Sequence, residues 1–314
     1  MQSESGKATD ILTIDTGMRG DQAITGAFIV RGEKTALVET GPKATVDNVL
    51  SGLAEAGVES IDWIVVTHIH LDHAGAAGTL ARRWPEARVA VHELGAPHLT
   101  DPSKLWASAR RIYGDAMEEL WGGIDPVPSD RITVLSDGEV IALGGRTLRA
   151  VETPGHARHH HALLDDSTGA LFAGDALGVR LPDVGINRPA TPPPEFDLDQ
   201  AIGSIKRIRD LDAESVWLTH FGPSDRGVNP ATPAEACDEA IESLSRWDEW
   251  VRAGLKQSRE PEAVTRFVVE RSREALESSL GPREVDRLEL TTSYSMNVSG
   301  HMRAIDRAEA PSTS

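Results

Sequence analysis

Short apolar runs alternate with amphipathic segments over roughly the first 225 residues of this 314-residue chain. The runs at 62–67 and 88–92 are rich in β-branched residues and predict buried strands. The segment 44–56 carries apolar residues at helical spacing and ends before Gly57, as helices often do. The alternation of strand and helix predicts an α/β layered core.

Two regions depart from this alternation. Residues 93–128 carry aromatic side chains at helical spacing between two strands, which predicts a helical insertion. Residues 178–196 hold five prolines and no periodicity, which predicts a long loop. Helical spacing returns after the last strand. We therefore predict a catalytic domain over residues 10–228 and a C-terminal helical extension over 229–306 that packs on the same domain.

The charge balance narrows the classes of partner. The formal net charge is -17, which argues against electrostatic binding to nucleic acid or to an anionic membrane. No run of 18 apolar residues is present, and the polar N-terminus lacks the apolar stretch of a secretory signal. Cys237 is the only cysteine, so an intrachain disulfide is excluded. These features lead us to expect a cytoplasmic protein.

Four potential metal ligands follow the strand at 62–67 within six residues. They are His68, His70, Asp72 and His73. Imidazoles with a carboxylate form the ligand set that zinc and similar divalent metals prefer. Open α/β sheets also place their chemistry at strand ends. The cluster therefore indicates a metal-dependent enzyme.

The same pattern recurs at three further strand ends. His156 follows the strand at 147–151 in the segment Thr153-Pro154-Gly155-His156. Asp175 follows the strand at 170–173, and His220 follows the strand at 215–219. Each apolar run thus ends close to a side chain that can bind a metal.

Together these motifs resemble those of the metallo-β-lactamase-fold superfamily of hydrolases. The resemblance rests on His68-x-His70-x-Asp72-His73, Gly155-His156, Gly174-Asp175 and the strand-terminal His220, in the expected order. It covers about residues 10–225. It implies an α/β fold of the four-layer αββα metallo-β-lactamase sandwich type, with a helical insertion and C-terminal helices added.

The resemblance also implies a dinuclear site. The first metal would be held by His68, His70 and His156. The second would be held by Asp72, His73 and His220, and Asp175 would bridge both. Two divalent cations would acidify a shared water into a nucleophile near neutral pH, with Asp72 as a possible proton acceptor. Zinc is the expected metal, and iron and manganese remain alternatives because they accept the same ligands.

Departures from subtypes of the superfamily narrow the reaction. Flavodiiron proteins have Glu where this chain has His70, and class B β-lactamases lack the bridging Asp175. Many acyl-homoserine lactonases have Tyr where Gly178 stands here. The glycine weakens the case for a lactonase of that type without excluding a lactonase. Nuclease members add basic elements that this acidic chain lacks. The expected activity is hydrolysis of a small ester-like molecule: a carboxylic ester, lactone, thioester or phosphoester.

Three alternatives stay open at this point. The first is a glyoxalase II-like thioesterase, which shares the ligand motifs and also has C-terminal helices. The second is a mononuclear-iron persulfide dioxygenase on the same fold. The third is a non-catalytic scaffold, which the complete set of seven ligands disfavours. A homodimer is the expected assembly if the chain associates.

Several further residues are candidates for supporting roles. His160 is expected beside the ligands, whereas His159 and His161 are expected to be ordinary surface or loop residues. Arg180 and Arg188, in the loop after Asp175, could bind a substrate carboxylate or phosphate. Aromatic residues of the insertion could contact an apolar substrate group or anchor the insertion on the core: Trp106, Tyr113 and Trp121.

Overall fold

The computed structural model describes residues 11–310 apart from residues 277 and 279. The chain divides into two compact units. The first unit lies within Met1–Glu152 and His159–Gly174, and the second within Thr153–Arg158 and Asp175–Ser314. This division does not test the predicted domain boundary at residue 228, which stays a prediction.

A six-stranded sheet with the order β1-β2-β3-β4-β5-β6 forms one part of the first unit. Its strands are β1 (Ile11–Asp15), β2 (Gly26–Arg31), β3 (Thr35–Val38), β4 (Trp63–Val65), β5 (Arg88–His92) and β6 (Ile132–Leu135). The β1–β2 and β2–β3 pairs are antiparallel, whereas the pairs from β3 to β6 are parallel. The carboxyl ends of β1 and of β3 to β6 therefore lie at the same edge of the sheet.

The first unit also contains four antiparallel strands in the order β10-β9-β8-β7. They are β7 (Val140–Ala142), β8 (Thr147–Glu152), β9 (His161–Asp165) and β10 (Ala170–Gly174). Strands β9 and β10 are buried along their whole length. Burial on both faces explains why they read as continuous apolar runs rather than as alternating ones.

Helices connect the strands of the first unit. They are α1 (Val46–Glu55), α2 (Leu71–Ala74), α3 (Ala77–Arg83), α4 (Ala96–Thr100), α5 (Ser103–Tyr113) and α6 (Met117–Trp121). The last three form the insertion between β5 and β6. A continuous helix over 103–120 is the simplest prediction from spacing, but the backbone turns at Gly114, where φ is +56°. Glycine adopts this conformation without the steric cost that a side chain would impose.

The second unit pairs β11 (Ser215–Leu218) with β12 (Gly222–Pro223) and carries five helices. These are α7 (Leu198–Asp210), α8 (Pro233–Leu255), α9 (Pro261–Ala275), α10 (Pro282–Thr291) and α11 (Tyr294–Glu309). A capping box between Thr232 and Glu235 fixes the start of α8, because each side chain bonds the other's backbone amide. The helices α8, α9 and α11 share a core that includes Trp247, Val264 and Val298.

A buried ion pair joins β9 to the segment before β8. Arg146 Nε lies 2.8 Å from Asp165 Oδ2, and the Arg146 side chain is 6% exposed while that of Asp165 is fully buried. The neighbouring pair Arg149–Asp166 has a similar separation of 2.7 Å, but both side chains are about one third exposed. The two pairs therefore differ mainly in burial.

We expect Asp165→Ala to lower the free energy of unfolding by about 3 kcal/mol, since it leaves the Arg146 guanidinium buried without its carboxylate. The matched control, Asp166→Ala, should lose less than about 1 kcal/mol because its pair is exposed to water. Urea denaturation of the two variants measures both values. Equal losses would show that burial does not set the strength of the first pair.

Candidate metal centre

The first group of predicted ligands lies at the carboxyl end of β4. His68 and His73 are fully buried, and His70 and Asp72 are partly exposed. Helix α2 is a single turn that follows the strand end closely, and it carries Asp72 and His73. His68 Nε2 lies 2.9 Å from His70 Nδ1, and His73 Nε2 lies 3.8 Å from Asp72 Oδ2. The structure thus brings these four residues together.

Glu39, to which the sequence pattern assigned no role, forms hydrogen bonds with residues of this ligand group. It follows β3, is fully buried, and has a left-handed backbone with φ of +65°. Its Oε1 lies 3.1 Å from His73 Nδ1 and accepts a 2.5 Å hydrogen bond from Thr67 Oγ1. Its position directly after an apolar strand, as for the other ligands, was the signal that could have identified it.

This network assigns the protons of two imidazoles. Thr67 Oγ1 donates its only proton to Glu39, so at 3.0 Å it accepts a hydrogen bond from His68 Nδ1. His73 Nδ1 donates to the Glu39 carboxylate in the same way. Each of these two rings carries its proton on Nδ1, so Nε2 is the nitrogen that can bind a cation. His68 Nε2 faces His70 Nδ1, another predicted ligand atom, at 2.9 Å. A second hydrogen bond on the far nitrogen is the usual support for a histidine metal ligand.

The second unit holds the other three predicted ligands, all nearly buried. Asp175 Oδ2 lies 3.4 Å from His156 Nε2, and Asp175 Oδ1 lies 3.5 Å from His220 Nε2. Two tetrahedral ligands at the usual zinc bond lengths stand about 3.3 Å apart. The two oxygens of Asp175 therefore face different histidines at separations that suit metal ligands, and the donor set fits divalent cations.

His156 is oriented by backbone. Its Nδ1 donates to the carbonyl oxygen of Ala190 at 2.8 Å, which leaves Nε2 facing Asp175. The preceding Gly155 has φ of +136°, and a Cβ there would lie 2.3 Å from the backbone of Ala201 in α7. Only glycine allows helix α7 to pack this closely beneath the ligand.

The expectation of a surface or loop position was wrong for His161, which lies in β9 and is 1% exposed. His159 lies in a turn, as expected for a loop residue, but is only 8% exposed. Burial lowers the pKa of His161 to about 3, with the neighbouring His92 adding to the shift, so this ring is neutral. His160 is fully buried with its ring centroid 5.0 Å from that of His68, in the position expected beside the ligands.

The two loop arginines are engaged within the second unit. Arg180 Nε lies 3.0 Å from Glu239 of α8, and its guanidinium also bonds the carbonyl of Asn229. Arg188 Nη1 lies 2.7 Å from Glu289 of α10. Both arginines are almost completely buried. The suggested role in binding a substrate anion is therefore corrected: these arginines tie the loop to the helices.

Two aromatic residues of the insertion, Trp121 and Tyr113, pack against each other. Trp121 is 3% exposed, and its ring centroid lies 5.1 Å from that of Tyr113. Trp121 is therefore part of the buried packing of the first unit. Burial raises the pKa of Tyr113 to about 12, and the negative charge of Asp72 adds to the rise. The Tyr113 phenol therefore stays protonated at neutral pH, close to the predicted metal ligand Asp72.

The chain belongs to the metallo-β-lactamase superfamily, whose sequence profile matches residues 14–220. The crystal structure of the archaeal superfamily protein ST1585 from Sulfolobus tokodaii superposes with a TM-score of 0.67 at 25% identity, covering 95% of this chain and 98% of that one. The predicted fold class is confirmed: two β-sheets flanked by helices, with further helices at the C-terminus.

Three curated relatives are similar in sequence. The chain is 32% identical over 204 residues to the metallo-β-lactamase fold-containing protein ST1585 of Sulfurisphaera tokodaii, covering 63% of this chain and 73% of that protein. It is 29% identical to a hydroxyacylglutathione hydrolase of Synechococcus, covering 62% of each. It is 30% identical to the atrochrysone carboxyl ACP thioesterase of Aspergillus fumigatus, covering 60% of this chain and about half (48%) of that enzyme.

The superfamily consists mostly of metal-dependent hydrolases, and this chain carries histidines and aspartates able to bind divalent metals. Within residues 11–310, apart from 277 and 279, no helix is long and apolar enough to span a lipid bilayer.

The raised pKa of Tyr113 makes stability depend on alkaline pH. In the unfolded chain the phenol ionises near pH 10, whereas the folded protein keeps it protonated up to about pH 12. Between these values the folded state binds more protons, so the free energy of unfolding falls as pH rises, by at most about 1.4 kcal/mol per pH unit. Urea denaturation at pH 9, 10 and 11 should show this extra slope in the wild type and lose it in Tyr113→Phe. Parallel slopes in the two proteins would contradict the assignment.

Proposed function

We propose that this protein is a dinuclear metal-dependent hydrolase of a small ester-like molecule. One observation carries the proposal. The two oxygens of Asp175 face the Nε2 atoms of two different histidines, His156 and His220, at 3.4 and 3.5 Å. A carboxylate in this arrangement suits a bridging ligand, because each oxygen can bind a separate cation.

The proposed ligand set is the one that the sequence motifs imply. His68, His70 and His156 hold the first metal, and Asp72, His73 and His220 hold the second. Asp175 bridges them. Zinc is the proposed metal, because four or more imidazole and carboxylate donors around a borderline cation suit it, and iron or manganese would accept the same donors.

When bound, the two cations would supply an acidified water and a Lewis acid that polarises the substrate oxygen. The protein residues prepare this chemistry. Asp72 and Asp175 supply negative charge that offsets the cations, while Thr67 and the Ala190 carbonyl accept the Nδ1 protons of His68 and His156, so that each ring presents Nε2 to a cation. Asp72 is partly exposed, so it can also accept a proton from the attacking water.

Thioesters are the proposed first class of substrate. Two relatives, the hydroxyacylglutathione hydrolase and the carrier-protein thioesterase, are named for thioester chemistry. Those relatives are matched over only part of their length, so the leaving group recognised by this chain is its own property. The net charge of -17 favours a small molecule over nucleic acid or an anionic membrane as partner.

The deciding experiment compares wild type with Asp175→Ala on acyl thioesters, p-nitrophenyl esters, lactones and bis-p-nitrophenyl phosphate, with metal content measured on the same samples. We expect two divalent metals per wild-type chain and hydrolysis of at least one class. Asp175→Ala should lose about a thousandfold in kcat/KM, since it removes several kcal/mol of stabilisation. Asp199→Ala, an exposed position in α7, is the control.

Two results would contradict the proposal. The first is undiminished hydrolysis in Asp175→Ala. The second is a single iron per chain with oxygen consumption on a persulfide, which would identify the dioxygenase alternative.

The carboxylate of Glu39 supports a further prediction. In Glu39→Gln the negative charge that faces His73 Nδ1 is lost, so the ring becomes a weaker donor to its metal. We expect the affinity for one of two Zn²⁺ ions to fall 10–100-fold. Calorimetric titration measures this, with exposed Glu33→Gln as control. Equal affinities in the two variants would show that Glu39 only stabilises the fold.

A further inference from the structure

The C-terminal helices contact the loop segment 188–191. We call this segment the His156 support. Arg188 bonds Glu289 and, at 3.3 Å, the carbonyl of Thr292, and its guanidinium lies 4.4 Å from the ring centroid of Tyr294. All of these partners belong to α10, to α11 or to the two-residue link between them. The segment is therefore held by chain that lies about 100 residues further along.

Asn297 of α11 makes the densest set of contacts with the His156 support. It is fully buried. Its Oδ1 accepts hydrogen bonds from Thr191 N at 2.9 Å and Thr191 Oγ1 at 3.1 Å, and its Nδ2 donates to the carbonyl of Pro189 at 2.8 Å. One side chain thus fixes the residues on both sides of Ala190.

Ala190 is the residue whose carbonyl accepts the Nδ1 proton of His156, at 2.8 Å. The position of this carbonyl sets the tautomer of His156 and the direction of its Nε2 lone pair. Because Asn297 fixes the two neighbouring residues, a shift of α11 at this point would move the carbonyl and turn the imidazole.

Gly300 brings α11 against the same segment. A Cβ at this position would lie 1.7 Å from the carbonyl oxygen of Thr191, so no other residue fits without moving the support. Gly300 and Asn297 lie three positions apart and therefore share one face of the helix. That face contacts the backbone of the segment at Pro189 O, Thr191 N and Thr191 O, which makes it suited to holding a loop in one conformation.

We propose that Asn297 is a positioning residue for the metal ligand His156, acting through the carbonyl of Ala190, with Gly300 setting the distance. The inference rests on the proposed dinuclear function. It assigns the C-terminal helices a part in metal binding: they determine how well His156 can hold the first of the two metals.

The test measures metal binding by the full chain. Asn297→Ala removes the side-chain hydrogen bonds with Pro189, Thr191 and Thr292. Gly300→Ala displaces Thr191 while favouring helix formation. Each variant should bind one of two Zn²⁺ ions about tenfold more weakly, with the other ion little affected. The visible absorption bands of the Co²⁺-substituted protein should change as well, because the ligand field at the first metal changes.

Ile305→Ala is the matched control. It removes buried apolar contacts from the core that α11 shares with α8 and α9, eight residues and more than two helical turns beyond Asn297, and so loosens α11 away from residues 188–191. Urea denaturation of the metal-free proteins identifies variants of comparable stability. The control should keep wild-type zinc affinities and wild-type Co²⁺ bands. A loss of zinc affinity in the control equal to that of Asn297→Ala would overturn the inference, since general loosening would then suffice.

The remaining outcomes separate this inference from the proposed function. If the wild type binds two metals and both Asn297→Ala and Gly300→Ala keep its affinities and spectrum, the positioning role is wrong and the dinuclear proposal stands. If Asn297→Ala fails to fold, Gly300→Ala gives the same decision alone. A wild type that binds no divalent metal overturns both.

Discussion

The buried carboxylate of Glu39 is the constraint on which the first group of ligands depends. A carboxylate without access to water is costly unless donors surround it. Thr67 and His73 provide those donors, and their protons are consequently committed to Glu39. His73 must then present Nε2, and Thr67 must accept from His68. The buried Glu39 carboxylate therefore determines which nitrogen of His68 and of His73 carries the proton.

The second group of ligands is held differently. His156 is oriented by a backbone carbonyl, which carries no net charge and can be moved only by moving the loop. The loop itself is fixed by Arg188 and Asn297 against the last two helices. The Glu39 carboxylate orients His73, whereas the position of the Ala190 carbonyl orients His156. The two arrangements should respond to different substitutions, since the first depends on a buried carboxylate and the second on how the loop is held.

Much of the fold and the candidate ligands could be predicted from local pattern and family motifs, whereas the supporting residues could not. Strand β5 coincides with the predicted run 88–92, because a short apolar stretch bounded by turn residues has few alternatives. Helix α11 falls within the predicted helical extension over 229–306, but its own bounds were not predicted, since its buried face carries Asn297 and His301 and its apolar periodicity is weak. The burial of His161 and the pairing of Arg188 depend on partners far along the chain, which no local window contains.

The loop at 178–196 shows why length and proline content are incomplete guides. The sequence predicts a long loop here, with Arg180 and Arg188 as groups that bind a substrate carboxylate or phosphate. In the structure the two arginines instead neutralise Glu239 and Glu289, and Val179 and Arg188 form a β-bridge across the loop. These contacts hold the loop in one conformation. A fixed conformation is what the role at His156 requires, since the Ala190 carbonyl can orient the imidazole only if its own position is fixed.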